Sequence, residues 1–176
     1  MSGHVESIEG HTPHIPASAW VHGTAAVIGQ VRLGERVSVW PQATLRGDEG
    51  VIEVGDDTNI QDGTTVHMTG GLSHTRIGAR VTVGHNCIIH GCTIEDDCLI
   101  GMGSIIIDNA VIGAGSVIGA GTLVTAGKII PPGSLVFGRP MQIVRPVNDK
   151  ERAQIHHGWT HYVERSRVYQ AAARGT

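Results

Sequence analysis

The chain has 176 residues, a length at which one domain buries a substantial core, and 40% of them are apolar. Aromatics make up only 3%, so that core has to be built from Val, Ile, Leu and Ala. A formal net charge of −3 with no basic stripe argues against nucleic acid as a partner. No apolar run is long enough for a membrane span or a secretory signal, so a cytoplasmic location is expected.

The N-terminal stretch MSGHVESIEGHTPHIP shows no apolar periodicity. Beyond it, aliphatics recur every sixth residue at Val21, Val27, Leu33, Val39 and Leu45. After an insertion at GDEG the spacing resumes at Val54, Ile60 and Val66. After MTGGLSHTR (68–76) it resumes at Ile77, Val83 and Ile89, and from Ile94 it runs without a break to Val136. A period of six suits neither an amphipathic helix nor a long alternating strand. It suits a mainly β solenoid of hexapeptides, in which each short strand points one aliphatic inward and a turn follows. Three strands make a triangular coil of 18 residues. About seven coils at a strand spacing of about 4.8 Å give a prism about 34 Å long. The hexapeptide pattern resembles the left-handed parallel β-helix superfamily, and the handedness is taken from that resemblance.

Cys87, Cys92 and Cys98 form no Cys-x-x-Cys pair and read as small buried thiols. After Pro146 the pattern changes: Asn148 with Glu151 three residues on predicts a capping box. Ile155, Trp159, Tyr162, Val163, Ser166 and Tyr169 then share one helical face. The expected organisation is one domain over 1–176, a β-helix over about 15–146 and a helix over about 148–172. That helix is long enough to lie along the whole prism and cover apolar surface.

The histidines gain meaning from this lattice. His67 follows Val66 and His90 follows Ile89, so both point outward from the strand position after the buried aliphatic. The separation from Val66 to Ile89 is one coil plus five residues. With those five in the 68–76 loop, His67 and His90 stack on one face of adjacent coils. His85 comes off the preceding face, across a corner. Arg46 falls on the face of His67 and His90, and Gln61 on the face of His85. Three imidazoles split in this way are expected to converge only when a second copy brings its corner against the first. Cyclic association of three copies would give three identical sites. Three imidazoles and a water form a zinc set. His4, His11, His14, His22, His156, His157 and His161 read as solvated surface.

These motifs resemble the γ-class carbonic anhydrase family, including bacterial members often labelled acetyltransferase-like. The match is carried by LRGDEG (45–50), NIQDGTTVH (59–67), VTVGH (81–85), IIHGCTI (88–94) and CLIGMGSIIID (98–108), and covers essentially the whole chain. The resemblance implies a homotrimer with intersubunit metal sites, with His67, His85 and His90 as ligands and His85 supplied by the adjacent subunit. It implies Zn2+, with Fe2+ or Co2+ as alternatives for an imidazole set. Gln61 would hydrogen-bond the metal-bound water or bicarbonate; Arg46, Asp48 and Asp62 would organise the site; Glu49 would stand near the metal; and Tyr162 would approach from the tail. The implied reaction is reversible hydration of CO2 to bicarbonate by a metal-bound hydroxide. The 68–76 loop lacks the carboxylate of the family prototype's acidic shuttle loop, so weak activity is expected unless another group, His74 among the choices, carries the proton. The alternatives are an acyl-CoA thioesterase or hexapeptide acyltransferase, and a non-catalytic assembly or binding protein.

Overall fold

The computed structural model describes residues 3–173 and has the expected architecture, a parallel β-solenoid of about seven turns with one C-terminal helix. Short strands stack in parallel from coil to coil, and all the aliphatics at the sixfold positions from Val21 to Val136 are buried, none more than 8% exposed. The prism has three faces. The histidine face includes Thr65–His67, Ile88–His90, Ile105–Ile106 and Leu123–Val124. The other two faces are equally regular: they include Asn59–Ile60, Thr82–Val83 and Leu99–Ile100 on one, Thr75–Ile77, Thr93–Ile94 and Val111–Ile112 on the other.

Both insertions keep the lattice intact. Ala26–Leu33 and Thr44–Val54 each run round a corner as one continuous strand. Their register shifts so that Asp48, Glu49, Gly50 and Val51 stand opposite Gln30 alone, which makes the expected bulge at GDEG. The second insertion falls within 68–76 as expected, with the strand resuming at Thr75.

The ends differ from expectation. The sheet begins well before residue 15: His4–Glu6 pairs in parallel with Ala26–Leu33. Its three residues are all exposed, so it carries no inward aliphatic for a periodicity to reveal. At the other end Ser134–Phe137 pairs with Gln142–Pro146, and this pairing is antiparallel.

The helix spans Asp149–Ala173 and opens with the expected reciprocal cap. Asn148 Oδ1 accepts from the backbone N of Lys150 (2.9 Å) and Glu151 (3.3 Å), while Glu151 Oε2 accepts from the N of Asn148 (2.8 Å). The helix lies across Ser38–Val39, Asn59–Ile60, Thr82–Val83 and Leu99–Ile100, the face that carries Gln61. Ile155, Val163 and Ser166 are buried against it, Trp159 and Tyr162 are half-buried, and Gly158 sits so close that a Cβ there would meet Thr82 Oγ1 at 2.7 Å. Tyr169 departs from the expected buried stripe: it is 38% exposed, with its ring against Trp20 and Trp40.

Candidate metal centre

The site grows out of one register. Val66 pairs with Ile89 and His67 with His90, as the loop arithmetic predicts, and Leu45 pairs with Val66, which sets Arg46 beside His67. Parallel strands bring the two imidazoles one strand spacing apart on the same face. His67 Nδ1 lies 3.3 Å from His90 Nε2.

The outer nitrogen of each ring faces a carboxylate. His67 Nε2 donates to Asp48 Oδ1 (3.0 Å), and His90 Nδ1 lies 3.3 Å from Asp108 Oδ1. If protons sit on those outer nitrogens, the two nitrogens that face each other present only lone pairs. Such a pair has no hydrogen bond to make, and a shared cation or proton satisfies both. Two nitrogens bound at about 2.0–2.1 Å to one tetrahedral ion stand about 3.3 Å apart. The spacing and the donor chemistry therefore fit a divalent metal, and a carboxylate behind each imidazole is the usual support for a metal-bound histidine.

Asp48 also takes a hydrogen bond from Arg46 Nη1. Burial pushes the Asp48 carboxyl up, but the hydrogen bonds from Arg46 and His67 outweigh it and hold the group below the usual carboxylate range. Asp108 behaves alike: burial raises it, while Ser73, the charge of His90 and Thr69 bring it below its ordinary value. Both carboxyls stay ionised at neutral pH, as acceptors.

His85 stands elsewhere. It lies in the turn after Thr82–Val83, at the corner between the helix face and the histidine face, and its Nδ1 is hydrogen-bonded to Asp62 Oδ2 (3.0 Å). Among the described residues, no three His, Cys, Asp or Glu side chains of one chain converge as a metal-binding set. The structure thus brings together His67, His90, Asp48 and Arg46, and leaves His85 with Asp62 as a separate pair.

Of the other expected residues, Gln61 is buried on the helix face and its Nε2 donates to Asn59 Oδ1 (3.0 Å). Glu49 is exposed on the bulge, and its Oε2 accepts from Gly70 N (3.2 Å). Tyr162 packs edge-on against Trp40, and burial followed by the charge of Asp62 pushes its phenol up, so it stays protonated. His74 is tied to the end of the bulge, where its Nδ1 accepts from Val51 N (3.1 Å). Ser73 and Asp108 carry no signal in the spacing: Asp108 ends the CLIGMGSIIID motif, and the strand register sets it one coil after Gly91 rather than His90.

Residues 91–126 match the family model described as bacterial transferase hexapeptide (six repeats). Over 163 residues the chain is 40% identical to the carbonic anhydrase of Geobacillus kaustophilus, covering 93% of this chain and 89% of that one. The chain belongs to the γ-class carbonic anhydrase family of hexapeptide-repeat proteins. It is also 41% identical over 158 residues to the protein YrdA of Escherichia coli, covering 86% of each chain. Among solved structures, a hexapeptide transferase family protein from Anaplasma phagocytophilum superimposes with a TM-score of 0.91 at 40% identity, covering 94% of this chain and 98% of that one. No helix among the described residues is long and apolar enough to cross a membrane.

Proposed function

We propose that this γ-class relative catalyses the reversible hydration of CO2 to bicarbonate at metal sites shared between the copies of a homotrimer. The observation that carries this reading is the 3.3 Å approach of His67 Nδ1 to His90 Nε2, with a carboxylate behind each ring. His67 and His90 would hold the metal from one copy and His85 from the next. The exposed apolar side chains beside them support contact with a second copy: Ile88 (42% exposed) precedes His90 by two residues, and Met102 (58% exposed) lies in the coil above His85.

A divalent cation there, Zn2+ first and Fe2+ or Co2+ as alternatives, supplies hydroxide near neutral pH by lowering the pKa of water to about 7. The chain's own residues do the rest. Asp48 and Asp62 hold His67 and His85 with the coordinating nitrogen free, and Arg46 balances the charge of Asp48. Gln61, with its amide NH2 committed to Asn59, keeps its carbonyl oxygen as an acceptor that orients a water or the OH of bicarbonate. Tyr162 stays a donor beside Asp62. The proton released has to reach solvent, and Glu49, exposed on the bulge next to Asp48, is the carboxylate suited to carry it. His74 is turned to Val51 and takes no part.

The test is stopped-flow CO2 hydration by protein loaded with zinc, then with Fe(II) under anaerobic conditions, with His85→Ala as control. Hydration that disappears in the variant supports the reading. Absence of hydration with metal demonstrably bound overturns it, and acyl-CoA thioesters become the substrates to try.

A further inference from the structure

We propose that Asp108, clamped by Ser73 and seated in the space left by Gly91, is the positioning residue that fixes the ring of His90 at the metal site. The inference rests on the metal reading above and concerns residues to which that reading gives no role.

Three segments meet at this corner. The Ile89–Ile106 register, continued by two residues, sets Gly91 opposite Asp108 in the next coil. Ser73 arrives from the 68–74 loop. Its Oγ donates to Asp108 Oδ1 (2.6 Å) and accepts from Thr69 N (3.2 Å). Ser73 is itself buried, 7% exposed, so this hydroxyl is not a solvated surface group that happens to be near. Gly91 has a φ of 59°, and a Cβ there would collide with both Ser73 Oγ and Asp108 Oδ1. The residue directly after His90 is thus kept empty so that a serine and a carboxylate can occupy its place.

The same Asp108 Oδ1 that accepts from Ser73 lies 3.3 Å from His90 Nδ1. A carboxylate in that position draws the ring proton to Nδ1 and leaves Nε2, the atom facing His67, as the donor to a metal. It also stops the ring from turning about its Cβ–Cγ bond. The short loop thereby gains a function that its lack of carboxylates conceals. Thr75 Oγ1, at the loop's end, donates to His67 O and accepts from Gly91 N, so one loop braces the strand ends of both histidines.

The test compares zinc affinity, by competition with a chromophoric chelator, for wild type, Asp108→Ala, Asp108→Asn and Ser73→Ala, with the visible spectrum of the Co2+ forms as a second readout. Asp108→Ala is expected to weaken zinc binding about 10–100-fold and to alter the Co2+ spectrum. Asp108→Asn, which keeps an acceptor oxygen toward His90, is expected to recover most of that loss, a rescue that a purely structural role would not tie to the metal. Ser73→Ala is expected to weaken binding by a few-fold, and it carries the test if Asp108→Ala does not fold. Equal affinity in wild type, Asp108→Ala and Ser73→Ala overturns this inference alone. Wild-type protein that holds no zinc overturns the metal reading and this one with it.

Discussion

Burial sets the chemistry of the three thiols as firmly as pairing sets that of the histidines. Cys92 and Cys98 are pushed up to about 12 by burial, and burial raises Cys87 as well. All three are free and packed into the prism, so alkylation of the folded protein at pH 8 is expected to leave them unmodified, with three labels added once the protein is unfolded. A label on native protein would contradict the packing described. The sequence carried these assignments well, because an aliphatic lattice leaves a small thiol nowhere but the interior. It carried the outward histidines too, since the offset between Val66 and Ile89 determines which of them stack. Asp108 is not legible in this way because the lattice counts backbone positions: nothing in the spacing says that the side chain after Ile107 folds back over Gly91 to reach the preceding coil.

The strands and the helix draw on different resources. Each hexapeptide strand is too short to be stable alone and gains its stability from the coil above and below. The corners between them need residues in the left-handed region, and the sequence signals most of these with Gly, Asn or Asp. Arg36 and Arg80 break that rule, with φ of 57° and 55°, a conformation that costs roughly 1–2 kcal/mol. Each makes a paired contact with an aspartate of the next coil, Arg36 with Asp57 and Arg80 with Asp97, and those aspartates occupy the same left-handed corner position. A ladder of alternating charge, Arg36, Asp57, Arg80 and Asp97, runs up this corner and works against that strain.

The helix depends on its first turn. Asn148→Ala is expected to destabilise the protein by about 1 kcal/mol, read from thermal unfolding. Glu151 answers to pH. The Arg145 guanidinium, helped by Asn148 N, holds its carboxyl down at about 2, well below its ordinary 4.5. A carboxyl depressed in the folded state stabilises it above the ordinary value and loses that contribution as pH falls from about 4.5 toward about 2. The melting temperatures of wild type and Glu151→Gln should therefore differ by a constant amount above pH 5 and converge as the pH approaches 2. A gap that persists unchanged to pH 2 would show that the cap works without its charge.

The molecule as a whole is a scaffold that sorts its polar groups by face. The period of six was enough to place the faces, because every predicted position from Val21 to Val136 holds a buried aliphatic and the outward residues follow from it. The two ends were not foreseeable by that route. His4–Glu6 is exposed throughout, and Gln142–Pro146 adds an antiparallel strand whose residues all face solvent, so neither leaves a hydrophobic signature. The covering helix was visible from its apolar stripe, and it explains why the Gln61 face is closed while the His67 and His90 face stays open, with Ile88 at its surface.

The proposed sharing of each site between copies can be tested with two inactive variants. His67→Ala and His85→Ala each remove one ligand from every site of a homotrimer, so neither alone should bind zinc tightly or hydrate CO2. When the two are unfolded and reassembled together in equal amounts, random assembly pairs an intact His67–His90 face with an intact His85 at about a quarter of the interfaces. Recovery of zinc and hydration in that proportion is the expected result. No recovery in assemblies shown by mass spectrometry to contain both variants would mean that the histidines are not shared in this way, and the account of the site would fail.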